Sequence, residues 1–221
     1  DKILLQQSAQ GEIIPLIKKK AAEKEIPLQY VPVEKLNVLT GGNHQGVIAF
    51  IASIEFQSIE NILPFIIERG EVPLLLILDG ITDIRNFGAI ARTAYASGVH
   101  AIIIPVNSAA PVNEDAIKTS AGALTKIPVC REKNLSAILD YLKLNGIQII
   151  GTDSNGDKFV HETDLTLPTA IIMGAEDTGI SSGARKFISE NVKLPMQHNF
   201  DSYNVSVAAG MFLYEVMRQR I

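Results

Sequence analysis

From Val72 onward the chain alternates short apolar runs with stretches of helical periodicity, which sharply limits the folds open to it. LLLILD, HAIIIP, KIPVC, IQIIGTD, TAIIMG and VKLPM read as strands. Between and after them helices are expected over about 87–97, 113–123, 134–145, 181–190 and 203–219. Strands apolar along nearly their whole length are buried on both faces. The pattern therefore predicts an α/β fold, a mostly parallel sheet covered by helices on both faces. Ligands of such sheets gather at the strand ends.

The N-terminal stretch follows a different pattern. A helix from about Ile13 to Glu25, a β-like PLQYVPV and the apolar run GVIAFIASI from Gly46 to Ile54 predict a small α/β domain over 1–54. TGGNHQG, Thr40 to Gly46, is a turn or loop. EFQSIENILPFIIERG, Glu55 to Gly70, is expected as a linker, an amphipathic helix interrupted near Pro64, leading into a second domain over 71–221. Residue 1 is Asp and not Met, so the first domain is expected to lack part of its start.

With 47% apolar and 20% charged residues, no membrane-length apolar run and no signal-peptide pattern, the chain reads as a cytoplasmic globular protein without a membrane partner. One cysteine excludes a disulfide framework and a cysteine-clustered zinc site; Cys130 reads as a buried strand-end thiol. No metal-ligand spacing relates His44, His100, His161 and His198. A net charge of −4 argues against a general nucleic-acid coat, and no DNA partner is expected. The charge is uneven, six bases against five acids over 1–53 and fourteen against nineteen over the rest. KKKAAEK, Lys18 to Lys24, is either a solvated helix face or a phosphate-contacting patch.

Three polar or glycine-rich clusters fall near predicted strand ends: DGITDIRNFGAIAR (Asp79 to Arg92), IIMGAEDTGIS (Ile171 to Ser181) and LPMQHNFDSYNVSVAAG (Leu194 to Gly210). No dinucleotide fingerprint, phosphate loop or hydrolase elbow is present, which leaves a nucleotide-like or adenosine-like ligand held without the usual phosphate loop. Asn86 can bond its own turn or cap the helix that carries Arg92, and Gly88 admits close backbone approach; turn punctuation with a surface arginine is the other reading. Glu176, between Gly174 and Gly179, is either a favourable acid near a helix start or a partner for the polar edge of a flat ring. Capping explains one of Ser202, Asn204 and Ser206, but not all three, nor the small residues that follow.

Together these clusters closely resemble the three motifs of the SpoU (TrmH) branch of the SPOUT RNA methyltransferases, in order and over essentially the whole chain. The likeness is to bacterial enzymes that methylate a guanosine ribose 2′-hydroxyl in 23S ribosomal RNA. HQGVIAFIA, His44 to Ala52, resembles the join between the small RNA-binding domain and the catalytic domain, and SAGAL, Ser120 to Leu124, resembles a further subgroup element. The resemblance implies a C-terminal deep trefoil knot, a homodimer and a site for S-adenosylmethionine. It places that cofactor near Thr152, Met173, Gly174, Ala175, Leu194, Met196, Val205 and Ala208. Arg92 is implied as the essential residue of a site shared between subunits, with Asn86, Glu176, Ser202 and Asn204 about it. Ile84 and Arg85 stand where the family often has Pro and His, and Tyr203 where it has Leu; these departures bear on substrate preference.

The implied reaction is in-line: the 2′-oxygen attacks the sulfonium methyl and S-adenosylhomocysteine leaves. A hydroxyl is a weak nucleophile and needs a base or a stabiliser of developing charge. Arginine is an unusual base, so either a substrate phosphate helps Arg92 accept the proton or Arg92 only orients phosphate and ribose. Two other readings keep the same scaffold, a transfer RNA ribose methyltransferase and a nonenzymatic RNA-binding or assembly protein.

Overall fold

The computed structural model describes residues 2–24, 26–50, 54–197 and 202–221. The chain divides into two compact units, 1–52 and 53–221.

The first unit contains β1 (Lys2–Gln6), α1 (Ile13–Glu23), β2 (Leu28–Val31), α2 (Val33–Leu39) and β3 (Val47–Phe50). β1 lies between a parallel β2 and an antiparallel β3. Leu4, Val31 and Leu36 pack together with Ile48 against them. Neither β1 nor α2 was anticipated. Pro32 precedes α2 without a side-chain cap, Glu34 suits its first turn and Leu36 is its one buried residue, too little for a visible helical period. HQG is the turn into β3 and lies within this unit. The N–H of Gly46 donates to Nδ1 of His44 at 2.9 Å, and Nε2 of the same ring lies 2.8 Å from Oδ1 of Asn37. A neutral imidazole protonated on Nε2 satisfies both partners.

The second unit opens with α3 (Ile59–Glu68), which is part of this body and not a free linker. Ile59, Leu63 and Ile66 share one helix face and pack against Leu75 and Ile77. Pro64 does not interrupt the helix: it sits on the exposed side, between two buried anchors whose packing outweighs the lost hydrogen bond. There follow β4 (Leu74–Asp79), α4 (Ile84–Ala96), β5 (Ala101–Pro105), α5 (Glu114–Thr119), β6 (Val129–Glu132), α6 (Leu135–Leu144), β7 (Gln148–Thr152), β8 (Lys158–Phe159), β9 (Thr169–Gly174), α7 (Ser182–Arg185), β10 (Glu190–Lys193) and α8 (Val205–Arg220).

The sheet is parallel at every pairing, in the order β6-β5-β4-β9-β7-β10-β8. From β7 the chain runs outward to the edge, returns to insert β9 between β4 and β7, then inserts β10 between β7 and β8. Alternation along β4 sends Leu76 and Leu78 to a core with α4 and α8, and Leu75 and Ile77 to one with α3 and α6. Cys130 is fully buried in the second core, and burial pushes its thiol up to about 12.

Two helices are shorter than expected. α7 is a single turn because the N–H of Ser189 donates to the carbonyl of Ile149 at 2.8 Å and Glu190 already begins β10. α5 stops at Thr119, where Ala121 and Gly122 turn to positive φ. β8, two residues long, carries no readable period.

At its C-terminal end α8 is tied to the loop before β9 and to the start of β4. Arg220 donates to the carbonyls of Leu165, Leu167, Val72 and Pro73, at 2.7 to 3.3 Å. Gln219 donates to the carbonyl of Thr163 and accepts from the N–H of Leu165. Glu215, 8% exposed, accepts two bonds from Arg218 and one from Gln219, and this holds its carboxyl well below the ordinary 4.5, at about 2.

Gly156 is buried where the β7–β8 loop crosses β10. A Cβ there would stand 2.7 Å from the carbonyl carbon of Val192 and 3.0 Å from the N of Lys193, both backbone. Gly156→Ala is expected to destabilise the fold by about 1–3 kcal/mol in urea unfolding, since a paired strand cannot retreat as a side-chain tip can.

The depressed Glu215 carboxyl contributes stability that is fully present above about pH 4.5 and is lost as the pH falls towards 2. Glu215→Gln should lower the denaturation midpoint at pH 7 and flatten its fall between those two values. A slope unchanged by the substitution counts against the assignment.

Candidate active site

All strands of the second unit run in one direction, so Asp79, Thr152, Gly174 and Lys193 end on the same edge of the sheet. The loops that follow β7, β9 and β10 enclose a cavity of about 310 Å³ there. The loop after β9 folds back sharply: the N–H of Gly179 donates to the carbonyl of Ala175 at 2.9 Å, and the reverse bond is 3.2 Å. It lies so close to its own strand that a Cβ on Gly174 would overlap backbone atoms of Gly179 and Ile180. Asp79 at the end of β4 accepts from the N–H of Ser181 at 2.8 Å and fixes where this loop leaves.

All eight residues expected around a cofactor line this one cavity. Met173, Leu194 and Val205 supply buried apolar wall, Met196 and Ala208 are half-buried, and Gly174 and Ala175 leave backbone accessible. Thr152 lines the wall while its hydroxyl donates to the carbonyl of Ile172 at 2.9 Å. Asp153, Ser154, Asp177, Thr178, Arg185, Tyr203 and Phe212 line it as well and were missed. Asp153 had a signal, because it follows Thr152 directly at a strand end. Arg185 had none, since it reaches the cavity from a one-turn helix 32 residues further along.

Glu176 is the hub of the polar residues. Its Oε1 accepts from Nδ2 of Asn204 at 3.1 Å, from the N–H of Val205 at 3.2 Å and from Nδ2 of Asn86 at 3.4 Å. Nδ2 of Asn204 also donates to Oδ1 of Asn86 at 3.0 Å. Asn204 is at the same time the N-cap of α8, its Oδ1 accepting from the N–H groups of Ser206 and Val207. One carboxylate thus joins the first turn of α4, the β9 loop and the positive end of α8. Ser202 lines the cavity and is exposed, with no hydrogen bond among the described residues. Residues 198–201 of its motif lie outside the described residues.

Arg92 is not brought into this network. It stands six residues beyond Asn86, about 9 Å along α4, exposed and without a hydrogen bond or ion pair among the described residues. α8, which packs against α4, presents Val207, Met211 and Tyr214 to solvent at 49, 40 and 67% exposure.

A parallel α/β sheet with an apolar, acid-edged cavity at its strand ends marks the class of α/β proteins that bind a small ligand there. Comparison with known proteins gives that class a family. Residues 73–214 match the SpoU rRNA Methylase family, and residues 1–57 match a domain described as RNA 2′-O ribose methyltransferase substrate binding. YacO of Bacillus subtilis, of the TrmH family, is 38% identical over 209 residues, 95% of this chain and 82% of that one. The TrmH/SpoU tRNA modifying enzyme of A. aeolicus superposes on 68% of this chain and 76% of its own, at 29% identity and a TM-score of 0.62. An AdoMet-bound rRNA methyltransferase from Sinorhizobium meliloti shares the fold over 100% of this chain and 80% of its own, at 19% identity and a TM-score of 0.62. The chain belongs to the SpoU/TrmH branch of the SPOUT RNA methyltransferases.

It is accordingly an RNA 2′-O-ribose methyltransferase of the SpoU/TrmH type. The residues present suit the S-adenosylmethionine that the resemblance implies: apolar side chains for a purine, accessible backbone for its polar edge, and Asp153, Glu176 and Asp177 beside a cationic ligand. Among the described residues no helix is long and apolar enough to cross a membrane.

Asn204→Ala removes a cap and a bridge, and is expected to cost about 1 kcal/mol or more in unfolding free energy. Asn204→Asp restores the cap but sets a second carboxylate beside Glu176. It should recover only part of the loss at neutral pH, because like-charge repulsion replaces the hydrogen bond to Glu176. Full rescue at neutral pH would show that the bridge to Glu176 contributes nothing.

Proposed function

We propose that this protein methylates the ribose 2′-hydroxyl of a guanosine in 23S ribosomal RNA, acting in the cytoplasm as a homodimer. The observation that carries the reading is the convergence of three separate loops on one cavity lined by all eight candidate cofactor residues, beside the Asn86–Glu176–Asn204 network. Ribosomal RNA is favoured over transfer RNA because the chain carries a substrate-binding unit over residues 1–57. In keeping with this, the tRNA modifying enzyme of A. aeolicus matches only 68% of the chain, while the S. meliloti rRNA methyltransferase matches all of it.

When bound, S-adenosylmethionine supplies an electrophilic methyl group. In this reading Met173, Leu194, Met196, Val205 and Ala208 hold the purine, while Thr152, Gly174 and Ala175 offer backbone to its polar atoms. Glu176, Asn86 and Asn204 fix the approach of α4 and α8, and Ser202 contacts the substrate. Arg92, with a substrate phosphate beside it, would orient the ribose 2′-hydroxyl towards that methyl group and help take up the hydroxyl proton. Alignment of nucleophile and methyl supplies much of the rate.

The dimer reading is supported by the apolar row Val207, Met211 and Tyr214, at the i, i+4, i+7 spacing of one helix face. A second copy against that row would cover it and would place Arg92 at a site shared between subunits. The C-terminal part is proposed to be a deep trefoil knot, which the late insertion of β9 and β10 between earlier strands supports.

Labelled cofactor with unmodified 23S RNA should place the methyl on one guanosine ribose and leave transfer RNA nearly unlabelled. Label on transfer RNA alone would move the substrate to that class, and cofactor binding without transfer would favour an assembly role. Arg92→Ala should lower single-turnover methyl transfer by about two to three decades, with cofactor affinity nearly unchanged. A rate within about threefold of the parent rejects a catalytic Arg92.

A further inference from the structure

The cavity contains one charged pair that the reading above leaves without a task. Nη1 of Arg185 donates to Oδ2 of Asp153 at 3.0 Å, and Nε of Arg185 donates to the carbonyl of Ile180 at 2.9 Å. Both side chains line the cavity, at 45% and 22% exposure. The guanidinium is therefore oriented by two bonds, and its remaining nitrogen, Nη2, has no partner among the described residues. Nη2 stands 3.2 Å from the point where a Cβ on Gly179 would be, so it leans over the bare backbone of the β9 loop. Arg185 is also the one lysine or arginine among the described lining residues, in the company of Asp153, Glu176 and Asp177.

An acid-lined cavity suits a sulfonium and an ammonium but repels a carboxylate. The amino-acid end of S-adenosylmethionine carries both an α-ammonium and an α-carboxylate, so it needs an anion and a cation side by side. Resting on the cofactor reading of this cavity, we propose that Arg185 and Asp153 form the subsite for that end. Nη2 of Arg185 donates to the α-carboxylate and the carboxylate of Asp153 accepts from the α-ammonium. The pair is a specificity determinant: it recognises the amino-acid tail and takes no part in holding the adenosine.

Calorimetry on the full chain tests this with S-adenosylhomocysteine, its decarboxylated analogue and 5′-methylthioadenosine, which lacks the whole tail. Losing a charge-assisted hydrogen bond predicts about tenfold or greater weakening of S-adenosylhomocysteine in Arg185→Met, with 5′-methylthioadenosine within about twofold of the parent. On the parent protein, where folding is not in question, removing the ligand's carboxylate should cost a similar factor, and in Arg185→Met that factor should vanish. Asp153→Asn should weaken both tail-bearing ligands and spare 5′-methylthioadenosine. Equal loss of all three ligands in Arg185→Met would make Arg185 a brace for the loop and overturn the proposal. So would a parent protein indifferent to the carboxylate. A parent that binds none of the three overturns the cofactor reading itself, a separate result.

Discussion

Two backbone crossings set the geometry on which the site depends. At Gly174 the β9 loop passes so close over its own strand that no side chain fits, and at Gly156 the β7–β8 loop does the same against β10. These contacts hold the loops leaving β7 and β9 close against neighbouring backbone, and the cavity lies between those loops and the one leaving β10. The constraint is steric, so it lets two glycines fix the relative height of loops far apart in sequence. Each crossing is followed by a polar tie, the paired bonds of Ala175 with Gly179 and the bond from the N–H of Asp157 to the carbonyl of Asn191.

Onto this frame Glu176 adds a join that apolar packing could not make. Its carboxylate meets the positive end of α8 and two asparagine side chains, one of them on α4. Each partner is a donor, so the exposed carboxylate is held by several bonds, none of which has to be strong. Asn204 is bonded on both sides, its Oδ1 to the helix N-terminus and its Nδ2 to Glu176 and Asn86. A serine or threonine could cap but not bridge in this way, because an amide alone presents an acceptor and an NH₂ donor on separate atoms.

Most of the fold was legible because its signals are local and repeated. The strands of the second unit are apolar along their length, and β4, β5, β7 and β9 stand where the pattern puts them. Misses came where tertiary context overrode pattern: α3 seemed a linker interrupted at Pro64 until Leu63 and Ile66 were seen to anchor it, and β8 and α7 are too short to show a period. Strand order is invisible to periodicity, since it depends on which strands pair and not on which residues are apolar. The polar site residues stood out because Asn86, Glu176 and Asn204 each sit at an element boundary, whereas Arg185 acts through a contact 32 residues away.

α8 links the cavity to the surface. Its buried side carries Phe212, Leu213 and Val216 into the core, its first turn borders the cavity through Val205 and Ala208, and its outer side exposes Val207, Met211 and Tyr214. Its first turns are apolar on both the inner and the outer side, and most of its charged residues stand in the last turns. Both of its ends are fixed, by Arg220 on four carbonyls and by Glu176 on the N–H of Val205. Such a helix cannot turn or slide to hide that outer side without breaking one of these anchors. Any partner seated on Val207 and Met211 therefore rests on the same turns that wall the cavity. Filling the cavity and covering the outer side of the helix are thus two demands on one element.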